Sequence, residues 1–144
     1  MTFWVASLVF ALDRIFKLAA VNNLSLGQSV PVLKNIFHIT LIHNTGAAFG
    51  MLRGFTLVIT AISCAVSVLI VYYVAKNKPK YKTVSLALGF ILGGALGNIW
   101  DRISVGYVID FLDFRIWPVF NIADSFISIG LVILVIRTLI KERA

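Results

Sequence analysis

Long apolar runs separated by short polar stretches dominate this chain of 144 residues. An apolar run of about 20 residues can cross a bilayer as a helix, so the pattern predicts four membrane spans, at about 2–21, 54–75, 84–101 and 121–140. The second span carries no charged residue, and Tyr72 and Tyr73 mark its interfacial end. The first carries Asp13, Arg14 and Lys17. Because the residues before Asp13 cover only about 18 Å of helix, we expect Asp13 to lie within the membrane, or the bilayer to thin there.

The segment 22–53 is polar, and Asn44-Thr-Gly46 is a turn signal within it. Apolar and polar residues alternate from Phe37 to Leu41, which predicts a short strand with one apolar face. We therefore expect a small β-rich platform on the membrane surface between the first two helices.

The distribution of basic residues predicts the orientation of the helices. Lysine and arginine number seven in the loop 76–83 and after residue 136, against four in the segments 22–53 and 102–120. Such an excess is typical of the cytoplasmic side, so both termini are predicted to be cytoplasmic and the two longer segments to face outward. The first helix lacks a basic amino-terminal region and a small-residue cleavage site, so we expect a retained anchor rather than a removed signal peptide.

Composition supports a membrane protein, because a hydrophobic content of 60% and a mean hydropathy of +0.96 exceed those of a soluble domain. We interpret the chain as a single integral membrane domain, 1–144, that is a mainly α-helical bundle of four transmembrane helices with the β-rich platform. The net charge of +7 does not indicate nucleic-acid binding, because the basic residues cluster beside apolar runs. The single cysteine, Cys64, allows no disulfide framework and is expected to be a buried, inert thiol.

Acidic residues are concentrated near the outer ends of the last two spans. Of the six in the chain, four fall within 24 residues, at Asp101, Asp110, Asp113 and Asp124. Asp110 is predicted in the outer loop and Asp124 in the first turn of the fourth helix, so the chain can bring them face to face. Two carboxylates in one low-dielectric site share a proton near neutral pH, which provides an acid and a base together. This is the chemistry of aspartic proteolysis.

The same residues have a structural interpretation. Asn121 and Asp124 can cap the amino terminus of the fourth helix. Asp13 and Lys17 lie four apart on one helical face and can form an ion pair that neutralises both inside the bilayer. At this level both alternatives stay open.

Three further patterns are less specific. Arg102, at the outer end of the third span, can anchor to a carboxylate or a lipid phosphate, or extend to the interface. Lys17 with Ser104 or Ser125 would suggest a serine–lysine nucleophile, but a charged partner at Asp13 makes Lys17 a poor base. The glycines inside the third span, Gly93, Gly94 and Gly97, favour close helix packing over a phosphate-binding loop. The spacing of His38 and His43 is not that of a zinc site.

Five short motifs stand in order along nearly the whole chain. They are Asp13 with Lys17, Asn44-Thr-Gly46-Ala-Ala-Phe49, Gly93-Gly-Ala-Leu-Gly97-Asn98 with Asp101-Arg102, Val108-Ile-Asp110-Phe111, and Phe120-Asn121-Ile-Ala123-Asp124-Ser125. Together they resemble the bacterial lipoprotein signal peptidases, or type II signal peptidases, a family of four-span membrane aspartic peptidases. The chain departs from that pattern at Arg14, where the family commonly has glutamine, and in having fewer residues before Asp13.

The resemblance implies an aspartic endopeptidase that cuts diacylglyceryl-modified prolipoproteins just before the lipidated cysteine. It implies that the enzyme lies in the bacterial cytoplasmic (inner) membrane with its site at the extracytoplasmic face. It also implies that Asp110 and Asp124 are the catalytic dyad and that Asp101 and Asp113 are not. The residues implied to line or support the site are Asp13, Lys17, Asn44, Gly46, Asn98, Arg102 and Asn121. Globomycin-like inhibitors and membrane lipids are further implied ligands, and no metal or organic cofactor is expected.

Two other functions are compatible with acids in a membrane protein. A small proton-coupled transporter or channel component would need polar residues through the depth of the membrane. Here the second span has no charge, and every aspartate outside the first span is predicted at the outer boundary. A non-enzymatic assembly subunit would tolerate Asp110→Asn if the fold survived, whereas a peptidase would not.

Overall fold

The computed structural model of the protein describes residues 1–46 and 55–141, and within these ranges the chain forms four helices and three strands. Their order is α1 (Thr2–Asn23), β1 (Ser29–Leu33), β2 (Phe37–Asn44), α2 (Thr56–Asn77), α3 (Lys82–Ser104), β3 (Val108–Asp113) and α4 (Ile122–Lys141). Each predicted span corresponds to one helix, with ends that differ by a few residues. Positions 47–49 of the second motif and the predicted start of the second span at 54 lie outside the described residues.

Three of the helices are long and apolar enough to cross a membrane, by length and composition: Thr56–Asn77, Lys82–Ser104 and Ile122–Ile140. The helix α1 has 22 residues but carries Asp13, Arg14 and Lys17 in its length. Among the described helices, a mainly helical membrane fold is therefore confirmed. The fourth span and the orientation stay predictions.

The helix α3 lies at the centre of the bundle and packs against α1, α2 and α4. Its most apolar 18-residue stretch is 67% buried, against 11% for the stretches in α2 and α4. Glycines allow the close approach that was predicted. A Cβ atom on Gly93 would lie 2.5 Å from the carbonyl oxygen of Ala6 in α1, and one on Gly94 would lie 2.5 Å from that of Ala123 in α4. Both contacts are too short for any larger residue.

Cys64 on α2 is half-buried, so the expectation of a buried thiol was wrong. The cause is the sparse packing of α2, most of whose surface is not covered by other described residues. In a membrane such a surface faces lipid, so an apolar sequence around a residue does not by itself bury that residue in protein.

The three strands form one antiparallel sheet in the order β1-β2-β3. The strand predicted around 37–41 is confirmed as β2. Pairing of β2 with β3 places Ile42 opposite Asp110 and Asn44 opposite Val108. The prediction that Asp110 lies in a loop was wrong, because it lies in β3. That strand is buried along nearly its whole length, so it lacks the alternation of apolar and polar residues by which a half-exposed strand is recognised.

A small apolar cluster fastens the sheet to the bundle. Ala20 of α1, Leu41 of β2, and Ile109 and Phe111 of β3 are all buried and pack together. Ile109 and Phe111 alternate with Asp110 along β3, so the Asp110 side chain lies on the other face of the strand, where Asn121 at the start of α4 donates to it at 2.7 Å. The sheet thereby brings one carboxylate to the end of the bundle where α4 begins.

Candidate active site

The Asp110 carboxylate is almost fully buried, at 1% exposure. Its Oδ1 accepts a hydrogen bond from Asn121 Nδ2 at 2.7 Å, and its Oδ2 accepts one from Asn44 Nδ2 at 2.8 Å. The Asn44 amide is itself oriented, because its Oδ1 accepts from the backbone N–H of Gly46 at 2.9 Å. Each oxygen of Asp110 is therefore bound by one fixed amide, which holds the carboxyl group in a single orientation.

Asp124 lies in the first turn of α4 and takes part in a reciprocal cap. The backbone N–H of Asp124 donates to Asn121 Oδ1 at 2.9 Å, and that of Asn121 donates to Asp124 Oδ2 at 3.3 Å. The other oxygen, Asp124 Oδ1, accepts from Asn98 Nδ2 at 2.8 Å. The capping interpretation of these residues is confirmed, and the same cap directs Asp124 toward Asn98 on α3.

The Asn121 side chain connects the two aspartates. It is fully buried, and its Nδ2 donates to Asp110 Oδ1 at 2.7 Å and to Asn98 Oδ1 at 3.1 Å, while its Oδ1 accepts from the Asp124 backbone. Asp110 and Asp124 are 14 residues apart in sequence and were predicted to lie face to face. Both are bound by the buried side-chain amide of Asn121. A shared neighbour of this kind fixes their relative position.

The environment of Asp110 favours its protonated form. Burial, followed by the negative charge of Asp124, raises the pKa of the Asp110 carboxyl from 3.8 to about 7, against the opposing effect of hydrogen bonds from Asn44 and Asn121. The pair therefore holds one proton near neutral pH, as two carboxylates in one low-dielectric site are expected to do.

Asp113 is in the opposite electrostatic situation, although it lies only three residues after Asp110. Its Oδ2 accepts from Thr40 Oγ1 at 2.7 Å and from Arg115 Nη1 at 3.1 Å. Burial acts to raise the pKa of Asp113, but the hydrogen bonds from Thr40 and Arg115 outweigh it and hold the pKa below 3.8. Asp113 is therefore ionised at neutral pH and cannot act as a general acid there.

Asp101 is likewise neutralised by cations. Arg14 pairs with its Oδ1, Lys17 Nζ lies 2.7 Å from its Oδ2, and the backbone N–H of Ile109 donates to Oδ2 at 3.1 Å. Among the described residues, by contrast, no ion pair involves Asp110 or Asp124.

Lys17 is the centre of the charged cluster beside the two aspartates. Its Nζ lies 2.8 Å from Asp13 Oδ2, which confirms the predicted ion pair, and it donates to Asn98 Oδ1 at 3.0 Å. Both charged side chains are fully buried. Asp13 Oδ1 accepts from the backbone N–H of Ala123 at 3.0 Å, so this helix pair also anchors the start of α4.

These contacts support the prediction that Lys17 does not serve as the base of a serine–lysine pair. Lys17 Nζ lies 2.8 Å from a carboxylate oxygen of Asp13 and 2.7 Å from one of Asp101. The hydroxyl groups of Ser104 and Ser125 donate to backbone carbonyls, of Trp100 at 2.7 Å and of Asn121 at 3.0 Å. Neither serine is hydrogen-bonded to a base in this arrangement.

Arg102 lies beside the aspartates without a direct ion pair to them in the described part of the chain. Its Nη2 donates to the carbonyl oxygen of Gly46 at 3.3 Å, and its buried Nε has no hydrogen-bond partner among the described residues. Arg102 therefore joins the end of α3 to the turn after β2 and retains an unused donor next to the site.

The two histidines have contacts elsewhere in the sheet region. The His43 ring stacks on Tyr107 with ring centres 3.8 Å apart, and His38 Nδ1 lies 3.1 Å from Ser29 Oγ. Within the described residues, no group of three or more His, Cys, Asp or Glu side chains is arranged to hold a metal.

Two cavities meet at Asp110. One, of about 740 Å³, is lined by Asp110, Asp124 and Arg102, with largely apolar walls that include Phe114, Ile116, Phe120, Ile127 and Ile129. The other, of about 860 Å³, is more polar and is lined by Thr40, His43, Asp113 and Arg115. Asn44, Asp110 and residues 117–119 line both cavities. A chain lying through them would therefore pass the two aspartates.

Sequence reasoning missed one component of the cluster, the pairing of Arg14 with Asp101. The sequence patterns predict no partner for Arg14, and they predict Asp101 only as an acid that is not part of the dyad. The available signal is that each charge lies within or at the end of an apolar span, where an isolated charge is unfavourable and a partner is expected.

Comparison with known proteins gives the family. The sequence profile described as signal peptidase (SPase) II matches residues 5–140. The chain belongs to the signal peptidase II family. It is 44% identical to the lipoprotein signal peptidase of Halothermothrix orenii over 99% of this chain and 98% of the relative. It is 43% identical to that of Desulfitobacterium hafniense (strain DSM 10664 / DCB-2), over 99% and 96%.

Solved structures show the same fold as this signal peptidase II family member. A bacterial membrane enzyme determined by the in meso method at 2.3 Å resolution has a TM-score of 0.91 and 31% identity, covering 99% of this chain and 89% of that one. A second, determined by the same method at 1.9 Å resolution, has a TM-score of 0.86 and 32% identity, covering 96% and 92%. The predicted peptidase activity and family are confirmed, and the transporter and assembly-subunit alternatives are not supported.

Proposed function

We propose that Asp110 and Asp124 form the catalytic dyad of a peptidase that removes the signal peptide from diacylglyceryl-modified prolipoproteins, cutting just before the lipidated cysteine. The observation that carries this proposal is the Asn121 amide, which binds Asp110 directly and caps the turn that holds Asp124. The relatives named above are lipoprotein signal peptidases, which supports the choice of substrate. Among the described residues, no other two acidic side chains share a hydrogen-bonding amide while both lack an ion pair with a lysine or arginine.

The mechanism follows from one proton shared by two carboxyl groups. Water attacks the scissile carbonyl carbon, the ionised carboxylate accepts a proton from that water, and the protonated partner gives its proton to the carbonyl oxygen. The resulting tetrahedral diol collapses when the first carboxyl group protonates the leaving nitrogen and the second takes a proton back from the diol. The C–N bond breaks, and the dyad again holds one proton. The roles are assigned to the pair jointly, because coupled groups titrate as a unit.

The supporting residues act by orientation. Asn44, Asn98 and Asn121 each donate to a dyad carboxyl group, so the negative form of either aspartate keeps fixed donors while its proton moves. Among the described residues no acceptor binds the Arg102 Nε, which lies beside the cavity that holds the dyad and suits a phosphate or carbonyl oxygen of a bound lipid or peptide.

The apolar cavity suits a lipidated substrate. Its walls provide an apolar surface next to the dyad, and a cysteine carrying diacylglycerol holds the scissile bond at the depth of the lipid headgroups. We propose a single peptidase domain in which all four helices span the bacterial cytoplasmic membrane. In this orientation the termini are cytoplasmic and the sheet and dyad are extracytoplasmic, and the excess of basic residues in 76–83 supports it. Globomycin-like inhibitors would occupy the same cavity.

Lipidation of the precursor is expected to raise kcat/KM for cleavage by about 100-fold or more. Burying even four methylene groups of an acyl chain contributes about 3 kcal/mol, which corresponds to roughly that factor. The measurement compares lipidated and unlipidated forms of one precursor with the purified enzyme in liposomes. Equal kcat/KM values for the two forms would contradict a lipid-binding role for the apolar cavity.

Activity is expected to depend on pH in a bell-shaped manner. The rate is expected to fall as pH rises above about 7, because the coupled pair then loses its shared proton and becomes a dianion without an acid. At low pH a second proton binds, which removes the base, so the rate falls again. Single-turnover rates measured across pH on a fixed amount of bound precursor test this. A rate that stays constant up to pH 9 would argue against a dyad sharing one proton.

A further inference from the structure

The ion pair between Arg14 and Asp101 lies next to the proposed dyad, and the mechanism above does not use it. The two residues are 87 positions apart in sequence and join α1 to α3. The Arg14 side chain is 20% exposed, whereas that of Asp101 is 1% exposed. The guanidinium therefore neutralises, from the edge of the cluster, a carboxylate that has almost no contact with solvent.

Asp101 is in turn bound to the two groups that adjoin the dyad. Its Oδ2 lies 2.7 Å from Lys17 Nζ and accepts from the backbone N–H of Ile109 at 3.1 Å. Ile109 immediately precedes Asp110 in β3. The position of Asp101 therefore affects both the strand that carries one dyad member and the lysine beside the other.

Lys17, together with the Asn121 amide, determines which way the Asn98 amide faces. Its ammonium group has three N–H donors, and three acceptors surround it: Asp13 Oδ2, Asp101 Oδ2 and Asn98 Oδ1. An ammonium group cannot accept a hydrogen bond, so Asn98 must turn its oxygen toward Lys17 and its NH₂ group toward Asp124. Lys17 thus helps to orient the Asn98 NH₂ group that donates to Asp124, although Lys17 itself binds the other end of the Asn98 amide.

The charges in this cluster sum to zero only because Arg14 is present. Arg14 and Lys17 supply two positive charges, and Asp13 and Asp101 supply two negative ones. Without Arg14 two buried carboxylates compete for one ammonium group. The uncompensated negative charge then also disfavours the ionised form of the neighbouring dyad.

In the described part of the chain, few other charged residues near Asp101 could replace Arg14 in neutralising it. The dyad is faced by Lys17 from α1 and by Arg102 from α3. Asp101 is faced by Arg14 and Lys17 from α1, and also interacts with Asp13 and Arg102. Arg102 already donates to a backbone carbonyl on the far side of the site, so it is not positioned to replace Arg14.

We propose that Arg14 is a positioning residue for the peptidase reaction. By neutralising Asp101, it allows Lys17 to hold the Asn98 amide toward Asp124 and keeps the net charge of the cluster at zero. The proposal rests on the assignment of Asp110 and Asp124 as the dyad. It differs from a purely structural role because it predicts a change in the pH dependence of the reaction.

The test compares Arg14→Gln with Arg14→Lys in the purified full-length enzyme acting on a lipidated precursor in liposomes. In Arg14→Gln, kcat is expected to fall about 10-fold with little change in KM, which corresponds to about 1.4 kcal/mol at the transition state. The pH–rate profile is expected to move to higher pH by roughly half to one unit, because an uncompensated charge then lies near the dyad. Arg14→Lys restores the charge and is expected to restore both quantities.

A matched control removes one positive charge elsewhere. Lys34, exposed in the turn between β1 and β2, is replaced in Lys34→Gln, which is expected to keep the original kcat and pH profile. Unchanged kcat and pH profile in Arg14→Gln would overturn the proposal, and so would equal defects in the glutamine and lysine variants.

A double variant covers the case in which Arg14→Gln does not fold. In Arg14→Gln with Asp101→Asn the cluster is neutral again, so folding and the original pH profile are expected to return. A double variant that stays unfolded or keeps the shifted profile would overturn charge compensation. An active Asp110→Asn enzyme would instead refute the dyad, so failure of the two proposals can be told apart.

Discussion

Replacing either Asp110 or Asp124 with asparagine is expected to lower the rate of cleavage of a lipidated precursor by at least about 10³-fold. Asparagine has nearly the same size and can still hydrogen-bond to the surrounding amides, but it can neither take a proton from water nor give one to the carbonyl oxygen. The dyad then lacks its acid or its base. Cleavage is measured with purified enzyme in liposomes, and thermal unfolding in detergent shows whether each variant is folded.

Asp113→Asn is the matched control for these two variants. Asp113 lies in the same strand as Asp110 and is also buried, but Thr40 and Arg115 bind it and it lines only the more polar of the two cavities. It is expected to keep much more activity than either dyad variant. If Asp113→Asn is equally inactive, or if a folded Asp110→Asn enzyme turns over, the choice among the acids is wrong.

Lys17→Met is expected to lower the free energy of unfolding by about 3–5 kcal/mol, the usual effect of removing one partner of a buried ion pair. Methionine fills a similar volume, so the loss comes from charge rather than from a cavity. Asp13 and Asp101 would remain fully buried with only Arg14 to neutralise them. Activity is expected to fall as well, since Asn98 Oδ1 then loses one of its two donors and only the Asn121 amide holds it. Reversible unfolding in mixed detergent micelles provides the measurement.

An exposed lysine on a neighbouring helix serves as the comparison. Lys82 begins α3 and is exposed, so Lys82→Met is expected to change the free energy of unfolding by no more than about 0.5 kcal/mol. Similar small effects of Lys17→Met and Lys82→Met would mean that the buried cluster contributes little to stability.

The helices could be predicted because a bilayer requires long apolar segments, and these are visible in any window of the sequence. The dyad could be proposed because acids are rare in such a chain, and Asp110 and Asp124 flank the start of the last helix. The strand β3 could not be recognised. The carboxylates of Asp110 and Asp113 interrupt its apolar residues. Burying them is unfavourable unless they are hydrogen-bonded, and their partners Asn121 and Thr40 come from distant parts of the sequence.

Pairings between distant residues were the least predictable part of the site. The Asp13–Lys17 pair followed from helical spacing, because residues four apart share a face. The partnership of Arg14 with Asp101 depends on how α1 packs against α3, which spacing within one helix does not determine. For Asp124 the sequence suggested either a cap or a reacting group, and the hydrogen bonds around Asn121 make the two compatible.

The double use of Asp124 affects how the enzyme loses activity on heating. Its carboxylate caps α4 through the Asn121 backbone, so opening of that first turn would withdraw one of the two proposed reacting groups while the rest of the bundle is still intact. We therefore expect thermal inactivation to report the opening of this helical turn rather than the melting of the whole protein. A directed-evolution screen that selects for residual activity after heating would therefore enrich for substitutions around this turn more than for improved packing of the remote apolar helices.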